Sequence, residues 1–171
     1  MKKSIPPPLK FLFAHPAHFI ACGCGSGLSP FASGTAGTLF AWITFPLFVL
    51  LLPSAAIIFE ALAVLFILGI IVCNITGRHL GVVDHGAIVW DEIVPFWTVL
   101  MFVPAGFSLS ALEWQLLAFL TFRFFDIIKP FPANWFDKQV KNGLGVMMDD
   151  VVAAGYTVLV LLLAQQLWGR I

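Results

Sequence analysis

The residues able to do polar chemistry gather in a few places, the largest being Arg123–Asp150, RFFDIIKPFPANWFDKQVKNGLGVMMDD. Arg123 and Asp126 close one apolar run, and Asp149 and Asp150 open the next. Charges where helices enter a bilayer cost energy unless they meet a partner or a metal ion. Three residues apart, Arg123 and Asp126 share one helical face. A second acidic pair, Asp91 and Glu92, sits in the first turns of another apolar run. A carboxylate there costs around 2.5–3.5 kcal/mol nearer mid-membrane. Two adjacent carboxylates call for a divalent cation or a basic group, although Glu92 alone could snorkel to water. Asp149 and Asp150 have a plainer account too, as caps of the helix that follows, which needs only one of them.

The third polar stretch is Gly23–Thr38, GCGSGLSPFASGTAGT. It reads as a glycine-rich loop, with Ser26, Gly34, Thr35 and Thr38, leading into a helix N-terminus whose N–H groups can hold a phosphate. It is no Walker loop, since no Lys follows the glycines in the required order, and glycine-rich loops are common in membrane proteins. Magnesium prefers oxygen ligands and is often held by carboxylates together with substrate phosphate. Arg and Lys then stabilise the phosphoryl oxygens. Asp91, Glu92, Asp126, Asp149 and Asp150 near helix ends, Asp84 in a loop, and two or three cations therefore suit phosphoryl chemistry on an anionic lipid headgroup. Other phosphatase designs are missing. No Cys is followed by five residues and Arg, no D-x-D precedes Thr or Val, and no Ser-Gly-His lies near an Arg.

The elements that must position these groups are membrane helices. Of 171 residues, 60% are hydrophobic and 11% charged, and mean hydropathy is +0.99. A soluble chain carries about 25% charged residues. About 20 residues cross a bilayer, which predicts five spans near 37–52, 55–73, 87–103, 109–125 and 151–168 in a single domain. Residues 1–22 read as a basic, interfacial N-terminal arm without a secretory signal. Its His15 and His18, separated by Pro16, read as two interfacial histidines. Cys22 and Cys24 read as small residues of a turn rather than half a zinc site. With five spans, Lys2, Lys3, Lys10, Arg78, Arg123, Lys129, Lys138 and Lys141 fall on one side and Arg170 on the other. The positive-inside rule makes the first side cytoplasmic, and it also carries all three polar stretches. Zero net charge gives no support for a nucleic-acid partner.

Four blocks in order resemble the phosphatidylglycerophosphatase A family: G-S-G-L-S-P with G-T-A-G-T, D-H-G-A-I-V-W-D-E, F-R-F-F-D-I-I-K-P-F-P and G-L-G-V-M-M-D-D. They run from about Gly25 to Gly155, within a motif-bearing region of residues 23–155. Ser33 stands where the family pattern has Pro, and Pro95 where it has Gly. The resemblance implies a small bacterial inner-membrane enzyme that converts phosphatidylglycerophosphate to phosphatidylglycerol with Mg2+. The expected roles are Asp91, Glu92, Asp149 and Asp150 as metal ligands, and Asp126 as ligand or general base. Arg123, Lys129 and the Gly34, Thr35, Thr38 segment are expected on the phosphate, with Asp84 and Ser26 accessory. His85 is the expected proton donor to the glycerol oxygen. Water activated by the ion is the expected nucleophile, with a phospho-aspartate at Asp126 or Asp149 as the alternative. The rivals are an ion- or proton-coupled carrier using helix-end carboxylates and a structural membrane subunit. No pattern fixes the oligomeric state.

Overall fold

The computed structural model describes residues 5–168 and is all-helical there. Two short helices, α1 (Leu9–Ala14) and α2 (Pro16–Ala21), and a 3-10 turn over Gly23–Leu28 precede a bundle. The bundle comprises α3 (Ser33–Leu51), α4 (Ala55–Leu80), α5 (Trp90–Leu100), α6 (Leu109–Ile128), a short α7 (Ala133–Gln139) and α8 (Gly143–Trp168). Lys2, Lys3 and Arg170, which entered the charge argument, lie outside the described residues.

Among the described residues three helices, α3, α4 and α8, are long and apolar enough to cross a membrane. The segment predicted as a third span at 87–103 is not a full-length helix. At 11 residues and 1.5 Å per residue, α5 is about 16 Å long, roughly half a hydrocarbon core. Helix α6 is long enough at 20 residues but carries Glu113, Arg123 and Asp126. The helix boundaries also move. Helix α3 begins at Ser33, so Gly34–Thr38 is its opening turns rather than a loop. Helix α4 runs on to Leu80 and ends on Gly81 at φ +72°, so Arg78 and His79 are helical. Helix α8 starts at Gly143, where Asn142 Oδ1 accepts the amides of Leu144 (2.9 Å) and Gly145 (3.2 Å). Asp149 and Asp150 therefore lie two turns inside α8 and cap nothing. Hydropathy placed that start at the end of the polar stretch, whereas the asparagine cap placed it earlier.

Helix α5 is the axis of the bundle, with every residue from Trp90 to Leu100 buried except Thr98. Its indoles satisfy their N–H groups on neighbouring helices: Trp90 donates to the Leu65 carbonyl (3.2 Å) and Trp97 to that of Ala41 (2.9 Å). Phe48 stacks on Trp97 at 4.8 Å, and Phe96 meets Phe122 at 5.3 Å. Buried Trp and Phe on one short helix thus tie α3, α4 and α6 to a common centre. Close approach needs small residues. A Cβ on Gly37 would lie 2.6 Å from Val89 Cβ, and one on Gly69 2.7 Å from Met147 Sδ.

Candidate active site

Three segments bring charge to one end of this bundle: the turn into α5, the end of α6 through α7, and the second turn of α8; the uncharged start of α3 adds Gly34 and Thr38. Arg123 is the hub. Its Nη1 lies 2.7 Å from Glu92 Oε2 and 2.7 Å from Asp126 Oδ2, and 3.3 Å from Thr38 Oγ1. The Thr38 hydroxyl, fully buried, is 3.0 Å from both Glu92 Oε2 and the Gly34 carbonyl oxygen. Gly34 is pressed against the same pair, since a Cβ there would lie 2.1 Å from Glu92 Oε1. Thr38, expected on the phosphate, has its hydroxyl between Glu92 and Arg123. Glu92, expected as a metal ligand, is paired with Arg123 through Oε2. Removing one member of a buried ion pair costs about 3–5 kcal/mol.

Lys129 is the second cation. It caps α6 in the left-handed region at φ 48°, which turns its side chain toward three carboxylates. Its Nζ touches Asp149 and lies 3.3 Å from Asp137 and 3.8 Å from Asp84. Burial works against the ammonium, but Asp149 and Asp84 outweigh it and hold the Lys129 pKa above the ordinary lysine value. Oxygens of Asp84, Asp137 and Asp149 come within 4.8 Å of one another, a spacing able to hold a cation. Asp84, expected as an accessory residue, thus lies in the same cluster as Asp149. Asp137 was missed altogether, because its charge sits among those of a polar stretch that looks merely solvated. Only α7, which turns the chain back toward α8, brings it inward.

The remaining expected residues divide. Asp91 and Asp150 are buried, and Oδ1 of each has no hydrogen-bond partner; neither has Arg123 Nε. Asp150 lies within hydrogen-bonding reach of Asp126. Asp91 is within electrostatic reach of Asp84, Glu92, Asp149 and Asp126. His85 is buried, and its Nδ1 accepts the Ala87 amide at 3.1 Å, which leaves the ring proton on Nε2. Burial holds its pKa below the usual imidazole value, with Asp84 acting the other way. Thr35 lies in the first turn of α3, whose N-cap Ala32 brings no capping side chain. Ser26 serves the 3-10 turn instead, donating to the Gly23 carbonyl at 2.9 Å. Cys22 is buried in that turn, and burial pushes its thiol pKa up to about 11. Cys24 sits at φ 55° beside Gly25 at φ 106°, so the C-x-C is turn architecture.

His18 is not interfacial. It is buried, with Nδ1 3.0 Å from Thr76 Oγ1 and Nε2 3.0 Å from His79 Nδ1. Pro16 does not separate it from His15. It starts α2, with His15 as the N-cap accepting the Ala17 amide at 3.0 Å.

Comparison with known proteins agrees with this arrangement of blocks. The family model for phosphatidylglycerophosphatase A matches residues 19–165. A Haemophilus influenzae protein named phosphatidylglycerophosphatase A is 46% identical over 163 residues, covering 95% of this chain and 96% of that protein. An Escherichia coli protein of the same name is 41% identical over 143 residues, 82% of this chain and 78% of that protein. A Bacteroides thetaiotaomicron protein, provisionally named a phosphatidylinositol-3-phosphatase, is 40% identical over 154 residues, 88% and 94% of the two chains. No solved structure matches the chain. The match spans most of the chain and contains every block that builds the charged end of the bundle, and the chain belongs to the phosphatidylglycerophosphatase A family.

Proposed function

We propose that this phosphatase removes the terminal phosphate of phosphatidylglycerophosphate at the cytoplasmic face of the bacterial inner membrane, and that it does so with Mg2+. The observation that carries the metal is the pair of buried oxygens, Asp91 Oδ1 and Asp150 Oδ1, with no donor to meet them. Around them seven carboxylates (Asp84, Asp91, Glu92, Asp126, Asp137, Asp149, Asp150) face two cations, Arg123 and Lys129. A phosphate dianion will not enter such a field until cations or protons offset it. Hard oxygen donors of this kind fit Mg2+, which needs only one or two carboxylates beside the substrate phosphate. Asp149 would hold the ion together with Asp84 and Asp137, with the unpartnered oxygens of Asp91 and Asp150 beside them. When bound, it supplies Lewis-acid stabilisation of phosphoryl oxygens and lowers the pKa of water.

The chain's own residues do the rest. Arg123 keeps Nε free of protein acceptors while Nη1 is anchored, so the guanidinium meets a phosphoryl oxygen already oriented. The uncapped first turn of α3, at Gly34 and Thr35, adds backbone N–H groups beside it. His85 would offer its Nε2–H as a hydrogen bond to the glycerol oxygen, which takes its proton from water. Asp126, held by Arg123, takes a proton from the attacking nucleophile. Among the described residues, Lys10, Arg78, Arg123, Lys129, Lys138 and Lys141 belong to the site end, which supports a cytoplasmic orientation. Helices α3, α4 and α8 are long and apolar enough to cross the membrane, and α5 and α6 would supply the other two of five passes. The carrier alternative needs ionisable groups along a path, whereas the seven carboxylates of the site lie at one end of the bundle.

The test is phosphate release from phosphatidylglycerophosphate by purified protein in detergent, with Mg2+ and with excess chelator. Release only with the ion is expected. No release under any condition overturns the substrate, and full release in chelator overturns the metal.

A further inference from the structure

We propose that Lys129 is a displaceable occupant of a cation seat: Asp84, Asp137 and Asp149 take a divalent ion, whose arrival drives the Lys129 ammonium out toward the phosphate. The seat rests on the metal reading given above, but the exchange is observable without any substrate. Three elements supply the carboxylates: the turn before α5, α7 and α8. Their oxygens lie within 4.8 Å of one another. Opposed ligands of a bound Mg2+ are about 4.2 Å apart, so closure needs little movement. One ammonium against three carboxylates leaves two negative charges over, and a divalent ion in its place leaves only one.

A second observation points the same way. Asp91 and Asp150, only 6% and 3% exposed, each keep an oxygen without a partner. Asp91 is under the charge of Asp84 and Asp149, and Asp150 under that of Asp149. Beside the seat there is thus acceptor capacity that the three donors of an ammonium leave unused. An exit and an entrance also exist. The Lys129 side chain is 25% exposed and that of Asp84 is 47% exposed, so a hydrated ion reaches the seat from water. Lysine, a point charge on a flexible stem, can leave without opening the core. The displaced ammonium then lies at the edge of the site, where an anionic phosphate replaces its lost carboxylates. Cation binding and phosphate binding would be coupled through one side chain.

Mn2+ titration of the full chain in detergent, read by electron paramagnetic resonance without substrate, tests the exchange. Lys129→Met is expected to bind Mn2+ about tenfold or more tightly than wild type, because no ammonium competes. Asp137→Asn is expected to bind it about tenfold more weakly, for loss of one carboxylate. Equal or weaker binding by Lys129→Met overturns the proposal. If that variant does not survive extraction, 13C-methylated wild-type protein serves, with the Lys129 signal assigned by its loss in Lys129→Arg. On Mg2+ addition that signal should move to the position of a water-exposed lysine, and a stationary signal overturns the exchange. Failure of the enzymatic reading looks different. It would leave the Mn2+ and lysine responses intact while phosphate release from the lipid was absent.

Discussion

Two polar knots lie at the same end of the bundle, and they differ in how fully they are paired. In the histidine knot, both His18 nitrogens have partners, Thr76 and His79, and Phe11 stacks on its ring at 4.1 Å. In the carboxylate knot, Asp91 Oδ1, Asp150 Oδ1 and Arg123 Nε have none. Burying a polar group without a partner costs roughly 1–3 kcal/mol in proteins, and more for a charge. A fold that satisfies one knot and leaves the other open is carrying that cost where a ligand can complete the set. The histidine knot holds α1 and α2 onto α4; the carboxylate knot is where the proposed phosphate and cation would bind. This contrast separates architecture from chemistry better than polarity does, because both knots are polar and buried.

The sharpest way to break the comparison is Asp150→Asn. If the unpaired oxygen is there for a ligand, turnover should fall on the order of a thousandfold, about 4 kcal/mol of barrier. The melting temperature in chelator should stay level or rise, because a neutral amide replaces a buried, unpartnered carboxylate. Turnover and thermal unfolding measured on one preparation settle it. Full turnover would make Asp150 a structural residue, and a lost fold would mean that its oxygens are paired after all.

A smaller effect is expected at Arg123. Were it only an anchor of α6 at the interface, Lys would replace it, since either cation satisfies the charge rule. It is a fork whose Nη1 lies 2.7 Å from both Glu92 and Asp126, while its Nε, without a protein partner, is the proposed contact to substrate. Lysine cannot do both. Arg123→Lys should insert normally and lose about a hundredfold in turnover, near 2.7 kcal/mol. Near-wild-type turnover would shift the phosphate to Lys129 and the α3 N-terminus.

How much of this was legible beforehand follows from range. The all-helical membrane class was legible because hydropathy is a property of each segment alone. The gathering of Asp84, Asp91, Glu92, Arg123, Asp126, Asp149 and Asp150 was legible from charge placed against apolar runs. What escaped depends on pairing between segments. Thr38 looked like an anion-loop residue until α5 set Glu92 3.0 Å from it. Asp137 looked solvated until α7 folded it toward Lys129. His18 looked interfacial because its partners, Thr76 and His79, are 58 and 61 residues away. The short α5 was unreadable for a different reason: a helix buried by protein and one buried by lipid have the same composition.

The smallest expected effect tests the satisfied knot. His18 is buried, and its pKa is lowered first by that burial and then by His79 and His15. The unfolded segment therefore binds more protons than the folded one once pH falls below the ordinary 6.5, and stability rises with pH across that window. Acid should loosen α1 and α2, because imidazolium rings repel and two donors cannot share the His18–His79 bond. Amide exchange over Leu9–Leu28, corrected for intrinsic rates, should quicken as pH drops below 6.5 in wild type. His79→Gln removes one competing charge and keeps an amide acceptor for His18, so it should flatten that response. Its turnover at neutral pH should stay within about threefold of wild type, less than 1 kcal/mol. Loss of activity comparable with Arg123→Lys would join the two knots into one site and end the distinction between them.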